Sequence, residues 1–513
     1  MDRKVKFILL LIIAISFLAR LYVALSPIDV LITKTIQDDA FMGISVARNI
    51  ALGKGITYNG VDKTNGFQPL WPFMLIPIYH FFDGDDALHA ILVFASFLEI
   101  LSIILIFKIS QKFLSDSLSL VVSALYGINP FVIFQTISGI DVVLSVFFVL
   151  LSFYYYNLKK KKELILGLIL GFAIFTRMDN VFLLLSFVLH SFWINRKNLF
   201  LAIKKSLLMI IPAIIVISPW LLWSFINFGK IIPSSSEGSF IGYHYSFRNV
   251  PLFSVLENNV MKTVGTILHL FGVTGETLSI SSVVLSLFIF SCFVLSYKDL
   301  KRMLPILLFL IFLSMFYTFY LWRIHVRYFL PLFPFVSLIC VIGVNNVLSK
   351  YPKIKTIGFF AIFTILFAHI IFNGFEQWKV GYYNWQYEMY EGTKWIKENT
   401  QKSDIIGSLY CGTNLYFSDR RVINLDGLLN DEATKAIQEK RLYSYMKEKG
   451  VKYWVDLVFI PEPVQKYNFQ GDWWTDSLDI DREKLTVIEE QHNTYKHFTG
   501  RDLYTVFFIV KVN

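Results

Sequence analysis

Long apolar runs separated by short polar segments fill the first three-quarters of the chain. They lie near 7–25, 87–107, 117–136, 140–157, 163–176, 178–194, 205–227, 279–297, 303–321, 328–348 and 356–373. A helix needs about 20 mostly apolar residues to cross a bilayer, so these runs predict about eleven transmembrane helices. The runs 163–176 and 178–194 are short and read as a hairpin turning at Arg177. Residues 68–82 are also apolar, but they are short and contain Pro69, Pro72 and Pro77. They predict a surface or re-entrant helix rather than a crossing. After 373 the pattern changes. Residues 388–399 predict an amphipathic helix, Asp404–Tyr410 and Arg421–Leu425 strands, 431–449 a charged helical stretch ended by Gly450, and Val451–Ile460 and Leu503–Val512 further strands. The expected fold class is an all-α polytopic membrane domain over 1–373, with long outer loops 26–86 and 228–278, followed by a small extracytoplasmic α/β domain over 374–513. Within the second loop, the apolar stretch 260–273 is expected on the membrane surface.

Composition agrees with the pattern. Apolar residues make up 55% and charged residues 17% of the 513, and mean hydropathy is +0.55, against ~25% charged in soluble domains. The net charge of +10 is explained by topology. Lys108, Lys112, Lys159 to Lys162, Arg196 to Lys205, Lys298 to Arg302 and Lys350 to Lys355 fall on one side of the predicted spans. The opposite short turns carry only Arg177, Arg323 and Arg327. The positive-inside rule then puts the N-terminus inside, the tail outside, and the protein in the cytoplasmic (inner) membrane. This assignment requires 68–82 not to cross. No basic stripe stands on a soluble domain, which argues against a nucleic-acid partner. Cys292, Cys340 and Cys411 have neither metal-site spacing nor a disulfide framework. Arg3, Lys4 and Lys6 precede a first run interrupted by Arg20, which reads as an uncleaved span rather than a signal peptide.

The outward segments hold the residues that can do chemistry. Asp38 and Asp39 follow the first span; a carboxylate there can act as a general base on a hydroxyl or ligate a divalent metal, or Asp38 can simply cap a helix. The same loop carries Arg48 and then Asn65-Gly66-Phe67-Gln68-Pro69-Leu70-Trp71, whose polar groups would line a cavity at the membrane surface. Ser138-Gly139-Ile140-Asp141 and Thr176-Arg177-Met178-Asp179 place further acids and an arginine at span ends, either capping and pairing or lining that cavity. Arg323, His325 and Arg327 gather beside aromatics, a set suited to a lipid phosphate, in catalysis or in headgroup anchoring. No nucleotide-binding signature is present. An enzyme working outside the membrane lacks a nucleotide-sugar supply, and a lipid-linked donor suits this topology.

In order and in their common outward side, these motifs resemble the GT-C superfamily of polyprenyl-phosphate-dependent membrane glycosyltransferases, and within it the mycobacterial terminal arabinofuranosyltransferase-like family. Asp141 stands where that family usually has Glu, and Arg327-Tyr328-Phe329-Leu330-Pro331 and Val422–Leu428 also look familial. The resemblance implies transfer of a sugar from a polyprenyl-phosphate donor to a hydroxyl of a glycan, lipid or protein acceptor, with membrane lipids as surroundings. Carried onto these positions, Asp38 is the general base. Asp39 orients it or binds a metal or the sugar. Arg48, Asn65, Gln68, Trp71, Ser138, Asp141, Arg177 and Asp179 contact substrate. Arg323, His325 and Arg327 hold the departing phosphate. The alternatives are a transporter or flippase of a lipid-linked or anionic substrate, and a scaffold without catalysis. The inverted repeats and broken mid-span helices that many transporters show are not evident here.

Overall fold

The computed structural model describes residues 2–159, 162–247, 250–274, 279–297, 303–319, 324–469, 474–496 and 502–512. Each predicted apolar run coincides with a helix, but the helices differ in length. Arg3–Ala24, Gly84–Ser110, Leu199–Phe228, Val326–Leu348 and Lys355–Val380 are long and apolar enough to cross a membrane. Asp116–Gly127 and Pro130–Thr136 make a sixth span if taken together, bent by 57°. The bend has a local cause. Pro130 has no N–H and restricts the residue before it, while the Asn129 side chain accepts from Phe131 N at 2.9 Å and starts the second helix afresh. The other apolar helices, Val142–Tyr156, Glu163–Thr176, Val181–Ile194, Ile280–Leu295 and Leu304–Phe319, have 14 to 16 residues. At ~1.5 Å per residue they reach about 21–24 Å, short of a ~30 Å hydrocarbon core.

Charge inside the bundle is paired. Arg20, wholly buried in the first helix, meets Glu99 at 3.1 Å. The pair is completed by Tyr126 Oη donating to Glu99 at 3.2 Å and by Arg20 donating to the Gly127 carbonyl at 2.8 Å. These bonds offset much of the cost of burying the pair, though Arg20 Nε finds no partner among the described residues. Residues 68–82 form a six-residue helix, Leu70–Leu75, and one 3-10 segment, Ile76–His80, too short to cross. Helix Leu252–His269 buries Val255, Asn259 and Thr263 at four-residue spacing and exposes Leu252, Phe253, Val260 and Val264, the pattern of an amphipathic helix.

The last long helix continues beyond 373 to Val380 and ends at Gly381, so the tail begins there. The tail holds helix Gln386–Asn399 and a five-stranded sheet. Its strands are β1 (Ile405–Ser408), β2 (Arg421–Asn424), β3 (Val451–Ile460), β4 (Thr486–Lys496) and β5 (Asp502–Lys511), in the order β2-β1-β3-β5-β4. β1 runs parallel to β2 and β3, while β5 runs antiparallel to β3 and β4. Side chains alternate across a strand. Trp454, Val458, Val506 and Phe508 therefore pack on one face with helices Asp431–Gln438 and Leu442–Glu448. Val455, Leu457, Phe507 and Ile509 pack on the other, against Met389 and Ile396. That second layer is continuous with Met42, Val46, Tyr58, Phe67 and Trp220 of the membrane domain. One apolar core thus joins the tail to loop 26–86. Three elements differ from expectation: β4, helix Gly412–Phe417, and a break in the 431–449 stretch at Lys440, whose φ is 53°.

Candidate functional site

A cavity of about 560 Å³ opens where loop 26–86, the helix ends and the tail meet. Asp38 and Asp39 begin helix Asp38–Ala51, near the positive end of its dipole. Asp38 is buried, and its carboxylate accepts from Gly412 N at 3.0 Å, Thr413 N at 2.8 Å and Thr413 Oγ1 at 2.8 Å. Burial outweighs these bonds and raises its pKa to about 6. Gly412 has to be glycine, because a Cβ there would lie 2.0 Å from the Asp38 carbonyl oxygen. Asp39, with its side chain 45% exposed, faces Arg327 Nη2 at 2.6 Å. The other terminal nitrogen of Arg327 donates to Gln37 Oε1. Both residues line the cavity, the Asp38 carboxylate bonded to the tail and the Asp39 carboxylate to Arg327.

Arg177 ties the membrane side of the cavity together. Its guanidinium donates to Asp141 at 2.9 Å, to Asp179 at 3.0 Å and to Tyr317 Oη at 3.1 Å, and Tyr317 in turn donates to Asp179. The backbone explains the placement. Helix Glu163–Thr176 stops at Arg177, whose extended φ of −149° and ψ of 125° turn its side chain away from the helix. Tyr328 stacks on Tyr317 at 4.4 Å, and its ring lies 5.2 Å from the Arg177 guanidinium and 5.3 Å from that of Arg327, within cation–π range. The His325 ring meets Tyr328 edge-on at 5.5 Å. Gln68 accepts from Met178 N at 3.3 Å, and Trp71 Nε1 donates to the Gly139 carbonyl at 2.8 Å. Both line the cavity.

Three expected substrate contacts lie elsewhere. Arg48 pairs with Asp83 at 2.9 Å on the outer side of the loop. Asn65 is fully buried and ties Ser224 (2.7 Å) to Ser234 N (3.0 Å). Ser138 donates to the Gln135 carbonyl at 2.7 Å, a bond within its own turn. None of the three lines the cavity, and Arg323 falls outside the described residues. Among the described residues no group of three His, Cys, Asp or Glu is placed to hold a metal ion. The acidic pair, already bonded to Thr413 and Arg327, does not offer a divalent metal a ligand set.

The tail contributes residues that carried no site assignment in the sequence. Asp426 lies just past the C-terminal end of the parallel strand β2 and lines the cavity. Its Oδ1 accepts from Asn424 Nδ2 at 2.7 Å and Leu428 N at 2.8 Å. Burial, with a smaller contribution from the charges of Asp39 and Asp38, raises its pKa to about 8. The usable signal was its position, since ligands of α/β sheets bind outside the carboxyl ends of parallel strands. Trp385, Tyr410, Phe459 and Trp474 complete the tail wall.

Comparison with known proteins defines the class. Residues 68–223 match the family model described as dolichyl-phosphate-mannose-protein mannosyltransferase. Residues 376–507 match a domain of unknown function (DUF8728). No curated protein matches the chain in sequence. Among solved structures, ArnT from Cupriavidus metallidurans in the apo state is similar at TM-score 0.56 and 10% identity, covering 97% of both chains. The same enzyme bound to undecaprenyl phosphate is similar at 0.54 and 11%, again over 97% of each. The Archaeoglobus fulgidus oligosaccharyltransferase, tethered with an acceptor peptide containing the NVT sequon, is similar at 0.53 and 14%, over 97% of this chain and 74% of that one. The chain is a multi-pass membrane protein with a GT-C-type fold.

Proposed function

We propose that this protein is a membrane glycosyltransferase that moves a pentosyl or hexosyl group from a polyprenyl-phosphate donor to an acceptor hydroxyl. The reaction takes place on the outer face of the inner membrane. The observation that carries the proposal is the meeting of Asp39 and Arg327 at 2.6 Å at the cavity rim, in a fold whose structural relative ArnT binds undecaprenyl phosphate. Arg327, with His325, receives the lipid phosphate, and Arg177 holds Asp141 and Asp179 towards the sugar. The acceptor oxygen bonds to the anomeric carbon as the carbon–oxygen bond to phosphate breaks. The electron pair departs with the polyprenyl phosphate, and the hydroxyl proton passes to Asp39. A single displacement of this kind inverts the anomeric centre. The base role falls to Asp39 because the oxygens of Asp38 are taken up by Gly412 and Thr413. The five shorter apolar helices complete a bundle of about eleven spans, the bilayer thinning locally and flanking residues snorkelling to meet their shorter reach, with the N-terminus inside and the tail outside.

The test uses the full chain in lipid nanodiscs with undecaprenyl-phosphate-linked pentose and hexose donors, following release of undecaprenyl phosphate. Asp39→Asn is expected to lower kcat by about 10²–10⁴-fold, and Arg327→Gln by about 10²–10³-fold. Wild-type turnover in Asp39→Asn would remove the base assignment. Lipid binding without any sugar release from the wild type would leave a transporter.

A further inference from the structure

Aromatic rings line both walls of the cavity, but its arginines stand on the membrane wall alone. That wall holds Arg177 and Arg327 with the acids they pair, Asp141, Asp179 and Asp39, and with His325. The tail wall carries aromatic rings. Trp385 meets Phe459 at 5.2 Å and 82°, and Tyr410 at 5.5 Å and 64°. Tyr410 meets Phe459 at 5.9 Å and 88°. Three rings packed edge to face cannot all turn their flat sides inward on one another, and all three are only half-buried at the cavity. The Asp426 carboxyl stands on the same side, and the half-buried hydroxyls of Ser235, Ser236 and Ser239 line the cavity as well.

We infer that the tail forms the acceptor subsite of this cavity and that the acceptor is a carbohydrate, its ring stacked on the Trp385–Tyr410–Phe459 cluster and its hydroxyls directed to Asp426 and the serines. This rests on the transferase reading above and adds the acceptor's class. A sugar ring has two kinds of surface, and the cavity supplies both. Its C–H faces carry slight positive charge and suit the negative face of an aromatic ring, while its rim of hydroxyls needs convergent polar partners. An alkyl chain would cover the second Asp426 oxygen and the serine hydroxyls without offering them a partner, at a penalty. Burial keeps the Asp426 carboxyl protonated up to about 8, so near neutral pH it both donates to and accepts from a hydroxyl.

The experiment exposes the full chain, labelled and held in nanodiscs, to a printed array of hexose and pentose oligosaccharides and to an array of Ser- and Thr-containing peptides. Undecaprenyl phosphate binding is measured separately by native mass spectrometry. The expected result is retention on oligosaccharide spots, weakened about tenfold or more in Trp385→Ala and in Phe459→Leu. Trp385→Phe, which keeps a ring, stays within about threefold of the wild type. A merely structural Trp385 would not give that separation, and if Trp385→Ala fails to fold, Phe459→Leu carries the comparison. Capture of peptides instead of glycans overturns the inference. So does undecaprenyl phosphate binding with no glycan retained, an outcome that leaves the transferase reading standing. Glycan retention without undecaprenyl phosphate binding does the reverse.

Discussion

Asp38 and Asp39 occupy the first turn of one helix, where successive side chains leave the axis ~100° apart. That angle turns the Asp38 carboxylate to Gly412 and Thr413 and the Asp39 carboxylate to Arg327, and it separates their mutants. Asp39→Asn removes an ion pair whose acid is half-exposed and whose largely buried arginine keeps Gln37 and an amide oxygen as acceptors, a loss of about 1 kcal/mol, so melting should move little while turnover is lost. Asp38→Ala strands two buried N–H donors, Gly412 and Thr413. It should lower stability by roughly 1–3 kcal/mol, seen as a lower melting temperature and faster proteolysis at the tail. Equal effects of the two substitutions would contradict this division. Arg177 poses a different problem, because its removal leaves Asp141 and Asp179 facing each other across a buried site. Arg177→Met should cost about 3–5 kcal/mol. Adding Asp179→Asn should recover part of that loss, since the two residues share one network; a strictly additive double mutant in detergent thermal unfolding would count against the coupling.

Elements built on strong periodicity were legible, and those held by tertiary contact were not. The apolar runs announced every long helix, yet not which ones stop short, because length in the membrane depends on where polar ends such as Arg177 are paired. β4 escaped because Thr486–Lys496 is an edge strand whose two faces are both largely accessible, so no period-two alternation marks it. The break at Lys440 lacks Gly or Pro, and helix Gly412–Phe417 has only six residues; neither carries a pattern. Asp39, Asp141, Arg177, Asp179 and Arg327 were readable as cavity residues because they are charges at span ends. Asn65 and Ser138 belong to the same motifs but support the backbone, a difference that no local signal encodes. The tail's part in the site was hidden, since it depends on how closely two segments distant in sequence approach. At Gly66 a Cβ would sit 1.9 Å from the Leu428 carbonyl oxygen. Gly66→Ala should therefore push the tail off loop 26–86, and limited proteolysis should show early release of the region after Val380 with the membrane helices intact. An unchanged digestion pattern would mean that the contact is looser than the geometry implies.

Across the whole molecule, the tail and its join with the membrane domain hold carboxyls that burial keeps partly protonated. Asp38 is raised to about 6, Asp456 to about 7 and Asp426 to about 8, against ~3.9 for an unfolded Asp. Asp456 sits within β3 and accepts from Leu409 N at 2.6 Å, Tyr410 N at 3.1 Å and Trp454 Nε1 at 3.0 Å, so it links the sheet core to the aromatic wall. For each of these groups the folded state binds a proton more tightly than the unfolded chain. Their contribution is therefore fully present below ~3.9 and is lost as pH rises through about 6 to 8. Asp83, Asp404 and Asp479 act in the opposite sense. Hydrogen bonds and ion pairs hold their pKa values below the usual range, and the stability they add is lost as pH falls below ~4. The two groups together place the maximum between about pH 4 and 6. The full chain in nanodiscs should melt higher at pH 5.5 than at pH 8.5, and tail proteolysis should be slower at the lower pH. Asp456→Asn removes one ionisable group while keeping an oxygen to accept, and should flatten the slope between those two values. A melting temperature that rises steadily from pH 5.5 to 8.5, or an Asp456→Asn profile parallel to the wild type, would show that these carboxyls ionise freely and that their sites are open to water.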